Sequence, residues 1–417
     1  MPRRLPTQAQ AKLPSVTQQP AALPNRLEPS RRLRRRRGLW ALTALAGLGG
    51  LLLLGLFGWL ARDSPARLQA RAEAAARARD WPAALHYWQA INASKAARSS
   101  VTQVEEARAC LALGRAAQAE RSLRDAITSN PADPEAWKLL LEILRVEDRT
   151  LEATDLGWQA YGKVRPEAKL TLLRELTLSL LVDLPDEIVR TTLQRWVAAD
   201  STDVDARIAL LHQITIQPRA TDPDRTSLLA AMEALLAEYP ANITVRTVLV
   251  TTLADAGEAN RGRTLLEGWP DSARDAPYCR LLGRWELEYN HRPDRAARAF
   301  QTALATFPQD WRTWSRLARA LCALGRDVDG RQAAETVSRI REVLDPLVLG
   351  PRLNTAFDHL DDPVVLRDLG TLCNQVGLTH LATAWRTLAQ SAGQSSGSRL
   401  PSSSNDQPWK KEQRPSM

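Results

Sequence analysis

The sequence predicts an all-α protein in which helix–turn–helix units stack into a solenoid behind one transmembrane helix. Three observations carry that expectation. A pattern of small and large apolar residues recurs every 34 residues through the body of the chain. The run 38–61 (GLWALTALAGLGGLLLLGLFGWLA) contains no charged residue. The charge excess sits at the ends: of a net +9, residues 1–61 hold ten Lys/Arg against the single acid Glu28, and residues 391–417 hold four against two. The stretch 62–390 holds 42 basic and 44 acidic residues. A body at −2 excludes broad adhesion to phosphate backbones, and no nucleic-acid partner is expected.

The N-terminal elements follow from composition. Residues 1–37 are rich in Pro, Gln, Ala and then Arg, and read as a disordered basic cytoplasmic tail. A helix over 38–61 spans about 36 Å at ~1.5 Å per residue, against a hydrocarbon core of about 30 Å. Its ten leucines contribute roughly −3 to −6 kcal/mol to insertion, and Trp40 and Trp59 stand near the two headgroup levels. Six arginines at 31–37 precede the helix, so the positive-inside rule keeps this side cytoplasmic and sends the body across. A cleaved secretory signal is the competing reading. The 37-residue leader, and an apolar run beyond the usual 7–15 residues, argue for retention. In a bacterium the anchor then lies in the inner membrane and the body in the periplasm.

The body repeats. Residues 100–133 read as two helices joined by a turn at Gly114, with Ala119 and Ala126 flanking Leu123 and Pro131 closing the second helix. A small residue lets two helices approach, a large one fills the gap beside it, and proline cannot continue a helix. These features return in phase. Residues 134–167 have Trp137, Leu140, Ala153 and Ala160, and 243–276 have Leu249, Leu253, Gly257 and Leu266. Residues 277–310 have Gly283, Ala296, Phe300, Ala303 and Pro308. From 311 come Trp314, Leu317, Ala318, Leu321 and Gly325, and from 363 come Leu369, Gly370, Gly377, Ala382 and Ala389. Weaker units fill 65–98, 168–202 (turn at Leu184-Pro185) and 205–242, the last stretched by an insertion at 216–224. Residues 343–362 exceed the repeat and read as a loop or an extra short helix. Residues 378–390 read as a capping helix, and 391–417 as a disordered Ser-rich tail.

The pattern resembles the tetratricopeptide repeat (TPR) family, a helix–turn–helix unit of 34 residues. The resemblance covers about eight or nine units over 62–390 and implies a right-handed superhelical solenoid. It departs at the aromatic position 11, where Cys110, Leu144 and Leu253 stand.

Chemistry is harder to find. The five histidines are scattered, and no zinc-protease pair, phosphate loop, nucleophile elbow or dinucleotide fingerprint occurs. Asp361-Asp362, and Asp222 with Asp224, read as acids at helix starts. Cys110, Cys279, Cys322 and Cys373 lie at least 43 residues apart and read as small buried hydrophobes. No catalytic residue, metal or cofactor is assigned, and the chain reads as a non-enzyme.

The resemblance instead implies binding in a concave groove lined by first-helix positions 2, 5, 9, 12 and 13. In the unit at 277 these are Tyr278, Leu281, Trp285, Glu288 and Tyr289; in the next they include Arg312, Ser315 and Arg319, with Arg316 beside them. Tyr278, Trp285 and Tyr289 stand seven and four residues apart and share one helical face. Aromatics beside Arg312, Arg316 and Arg319 suit a protein or peptide ligand with acidic and apolar side chains. The bland alternative is a solvated arginine face beside aromatics packed between helices. A chaperone-type carboxylate clamp is not expected, because position 9 holds Arg108, Glu142, Thr251 and Arg319 and never Asn. The expected role is a membrane-anchored scaffold or adaptor in cell-envelope assembly or export, with a non-catalytic accessory subunit of an envelope enzyme as the alternative. Self-association is left open.

Overall fold

The computed structural model describes residues 64–397. The basic tail 1–37, the helix expected at 38–61 and the tail from 398 lie outside the described residues. Residues 391–397, expected as tail, instead continue the last helix. Among the described residues the chain forms nineteen α-helices and two short 3-10 turns, with no strand. None of these helices is long and apolar enough to cross a membrane.

In chain order the helices are α1 (Pro65–Arg77), α2 (Trp81–Asn92), α3 (Ser100–Ala112), α4 (Ala116–Ser129), α5 (Pro134–Val146) and α6 (Thr150–Lys163). Then come α7 (Lys169–Leu181), α8 (Asp186–Ala199), α9 (Val204–Ile216), α10 (Arg225–Glu238), α11 (Ile243–Ala256) and α12 (Ala259–Glu267). The rest are α13 (Ala276–Glu288), α14 (Pro293–Thr306), α15 (Trp311–Ala323), α16 (Asp327–Val343), α17 (Pro346–Phe357), α18 (Pro363–Gln375) and α19 (Thr379–Gly397). The extra residues at 343–362 thus form one inserted helix, α17.

Helix starts are set locally. Asp133, Asp203, Asp224, Asn242, Asp275, Asp310 and Asp362 each accept an amide of the first turn that they precede. Each helix then buries one stripe against its neighbours, as α4 does with Ala116, Ala119, Leu123 and Ala126. Burial accounts for Cys110 and Cys373, whose thiols it pushes up to about 12. Cys322 departs from expectation and is exposed.

The turn inside several units has one residue in the left-handed region. Gly114 (φ 79°) and Asp148 (φ 55°) stand 34 residues apart, and so do Gly257 (76°), His291 (52°) and Gly325 (71°). That conformation folds the second helix back on the first; it is open to glycine, tolerated by Asp and His, and closed to β-branched residues. The next slot after Asp148 falls on Val182, which is extended at φ −125° and ψ 114°. The hairpin expected at 168–202 does not close. Leu193 and Trp196 of α8 join the N-terminal core, while Leu173, Leu176 and Leu181 of α7 join the core built by α16–α19. Helix α8 pairs forward with α9 instead.

The face that α8 leaves open is covered from far along the chain. A Cβ on Gly157 of α6 would collide with Leu176, as one on Gly262 of α12 would with Trp285. Those two contacts align α7 with α13. Gly283 and Glu286 then correspond to Arg174 and Thr177, and Gly283 is where α14 packs, a Cβ there lying 2.6 Å from the Phe300 ring. In α7 that same face meets α17 and α19: Arg174 lies 5.2 Å over the Phe357 ring, and Thr177 Oγ1 accepts the Trp385 indole N–H at 3.0 Å. A bulky Arg in the small slot and a Val in the turn slot both oppose a local hairpin. The sequence expectation of a terminal cap at 378–390 is therefore replaced by an internal one. Helix α19 completes α7.

The close approach of α13 and α14 gives a direct test. Gly283→Leu should cost about 1–3 kcal/mol by overpacking against Phe300. Gly162→Ala, with nothing within 4 Å of the added carbon, should be neutral or stabilise by up to about 1 kcal/mol. Urea midpoints of the two variants measure both.

Candidate functional site

The three aromatics of the expected groove are not arranged as exposed anchors. Trp285 is 1% exposed and Tyr278 9%. Tyr278 sits 5.3 Å from the Trp269 ring, and Trp285 lies against Gly262 and 4.8 Å from Tyr289. The Tyr289 hydroxyl donates to the Ala254 carbonyl at 2.8 Å. All three pack in the cluster formed with α11 and α12. The reason is a one-residue offset. Four residues (Tyr289–Arg292) separate α13 from α14, whereas three (Leu324–Arg326) separate α15 from α16. One residue rotates a helix face by about 100°, so the half-buried outer face of α13 carries Arg280, Arg284, Leu287 and Glu288 instead.

This face continues onto α15, which packs beside α13. Glu288 is its hub. Its carboxylate accepts from Arg284 Nε at 2.8 Å and from Arg319 at 3.2 Å, with Arg316 Nε at 3.6 Å. Arg284 also reaches Asp255 at 2.8 Å, and Arg280 lies 3.7 Å from Asp310, the cap of α15. Four guanidiniums thus face three carboxylates. Arg312 is set apart from the hub, lying 4.7 Å over the Trp311 ring, which Arg341 also approaches at 5.1 Å.

Electrostatics follow from this geometry. Partial burial works against a charged Glu288, yet Arg284, Arg316 and Arg319 together hold its carboxyl below the usual carboxylate range. Burial and the neighbouring Arg284 push the Arg316 guanidinium down. The structure therefore brings together Arg316 and Arg319, keeps Arg312 on the same side of α15, and turns Tyr278 and Trp285 inward. Arg280 and Arg284 complete the face. The signal for them was Gly283, the small residue that fixes which side of α13 meets α14.

Two clefts lie elsewhere. One of about 520 Å³ is bounded by Leu151, Glu152, Asp155, Leu156, Gln159 and Asp275, and one of about 360 Å³ by Ser100, Asn130, Asp133, Arg165 and Glu167 among others. Neither is lined by a residue of the arginine face. Among the described residues no group of three or more His, Cys, Asp or Glu could hold a metal ion.

A depressed carboxylate stabilises the fold above the unfolded pKa and loses that contribution as pH falls through the folded one. The urea-midpoint difference between wild type and Glu288→Gln should be full at pH 7 and shrink as pH drops below about 4.3. A difference independent of pH would contradict the hub.

Comparison with known proteins adds the following. A tetratricopeptide repeat family model matches residues 101–143, on α3–α5, and a second matches 289–344, on α14–α16. No curated protein matches the chain. Among solved structures, a tetratricopeptide repeat protein from Parabacteroides merdae is 12% identical, covering 62% of this chain and 98% of its own, with a TM-score of 0.30. A MamA mutant is 19% identical over 42% of this chain and 99% of its own, TM-score 0.28. The Cut9–Hcn1 hetero-tetramer of the APC/C is 13% identical, covering 82% of each chain, TM-score 0.27. Tetratricopeptide repeat models thus match segments in both the N-terminal and the C-terminal helices.

Proposed function

We propose that this chain is a membrane-anchored scaffold or adaptor that captures a protein partner outside the cytoplasm, in cell-envelope assembly or export. Tetratricopeptide repeats generally mediate protein–protein interaction, and the repeat scaffold is typically non-catalytic. The observation that carries the finer reading is the α13–α15 face, where four guanidiniums meet three carboxylates and a fifth, Arg312, stands exposed on the same side of α15. Guanidinium pairs carboxylate through a planar fork, so an acidic segment is the ligand chemistry that fits. An incoming carboxylate would take the place of Glu288 on Arg319, the more exposed of its two α15 partners. Half-buried Trp311, under the Arg312 guanidinium, is an apolar contact on the same helix.

The uncharged run at 38–61 and the six arginines before it support an anchor with its N-terminus in the cytoplasm. An anchor confines partners to one surface and raises their effective concentration, so modest contacts suffice.

A photo-crosslinking amino acid at Ser315, between Arg312 and Arg319, tests the reading in living cells. One discrete partner should be captured. Reversing the two exposed charges (Arg312→Glu with Arg319→Glu) should reduce capture at least tenfold, since each charge-assisted contact contributes about 1.5–3 kcal/mol. Capture unchanged by the reversal would sink the arginine face as the contact surface.

A further inference from the structure

The contact between α7 and α19 joins residues 208 positions apart and is built in detail. Trp385 and Thr177 are both fully buried. The Thr177 hydroxyl accepts the indole N–H and donates to the Leu173 carbonyl at 2.7 Å. Beside them the His380 ring stacks on Trp158 of α6, centroids 3.8 Å apart and planes 23° apart. Leu173, Leu176 and Leu181 share one apolar cluster with Leu381, Ala382, Trp385 and Ala389.

The tether that brings α18 and α19 to this place is less regular. Helix α17 lies outside the repeat and has Pro351 in its interior; it buries Leu349 and Leu353 in the same cluster but carries Leu347 at 86% and Val348 at 55% exposure. Val364, at the start of α18, is 51% exposed. A closing helix reached through a connection outside the repeat, with apolar side chains left in solvent along it, is an element that can be exchanged between copies.

We propose that the α6–α7 surface is a self-association site, and that it accepts α19 from a second copy of this chain in place of its own. The surface exists because Val182 prevents α8 from covering α7, so its completion is not fixed by the chain's local order. The occupant is specified by the structure: a helix that presents His380, Leu381, Trp385 and Ala389 on one side. In an exchanged pair the two tethers run side by side, and there Leu347, Val348 and Val364 find apolar partners that they lack in the single chain. This surface is separate from the arginine face, and the proposal does not rest on it.

Two defective full-length chains, purified in mild detergent, test this by complementation. The first carries Trp385→Ala, which removes the occupant's anchor and keeps α7 intact. The second carries Leu173→Arg, which spoils the α7 surface and keeps α19 intact. Mixed, they should form a one-to-one complex at least tenfold more abundant than the self-complex of either alone, and hydrogen exchange of 169–181 in the first chain should slow in the mixture. If Trp385→Ala fails to fold, His380→Ala replaces it, removing only the stack on Trp158. Two folded chains that stay monomeric when mixed would overturn the proposal. A complex that survives Leu173→Glu in the first chain would overturn it too, because association would then lie elsewhere.

Discussion

A helix of about thirteen residues cannot bury its apolar stripe alone, and isolated helices of that length are marginal in water. Every helix here is therefore stable only through its neighbours, and in several of the turns the nearest neighbour is brought back by one left-handed residue. Where Gly114, Asp148, Gly257, His291 and Gly325 provide it, the second helix folds back and the repeat continues. Where Val182 stands, it does not. With Arg174 in the small-residue slot of α7 acting the same way, α8 goes forward to α9, α7 keeps an open face, and α19 returns to cover it.

The two halves of the array use charge in opposite ways. In the N-terminal units a cation is the hub: Arg149 meets Glu120 and Glu147 at 2.8 Å and Glu152 at 2.7 Å, all within the packed turns between α4, α5 and α6. Burial pushes the Glu147 carboxyl up to about 8 despite that partner, so this network is structural and shielded. In the C-terminal units an anion is the hub, and the cations around Glu288 include the exposed Arg319. The second arrangement offers its most exposed guanidinium, Arg319, to an outside carboxylate. Net charge conceals this difference, because each half of the body is close to neutral.

Much of the fold was legible in residues whose chemistry is local. Small residues at 119, 126, 296 and 303, and the Gly turns, mark hairpins because close approach and left-handed φ leave few alternatives. The misreadings came from single-residue events. One extra residue between α13 and α14 rotates α13, so Tyr278 and Trp285, placed on the ligand side by counting, are core, and Arg280 and Arg284 take the outside. Gly283 held that information, but only if its partner Phe300 is known to pack against it. The return of α19 to α7 was not legible at all. Thr177 and Trp385 carry no pairing signal across 208 residues, and a polar residue inside a leucine-rich helix reads as surface until its partner appears.

The closure of α7 by α19 is the claim on which this account stands, and a double-mutant cycle addresses it most directly. Thr177→Val removes the acceptor at nearly constant size, and Trp385→Phe removes the donor while keeping an aromatic ring; the cycle cancels the volume that Trp385→Phe loses. Measured by denaturant unfolding, the two changes should couple by about 1 kcal/mol, as expected for one shared buried bond. Strictly additive losses would mean that the two residues do not meet, and that α7 is completed by something other than α19.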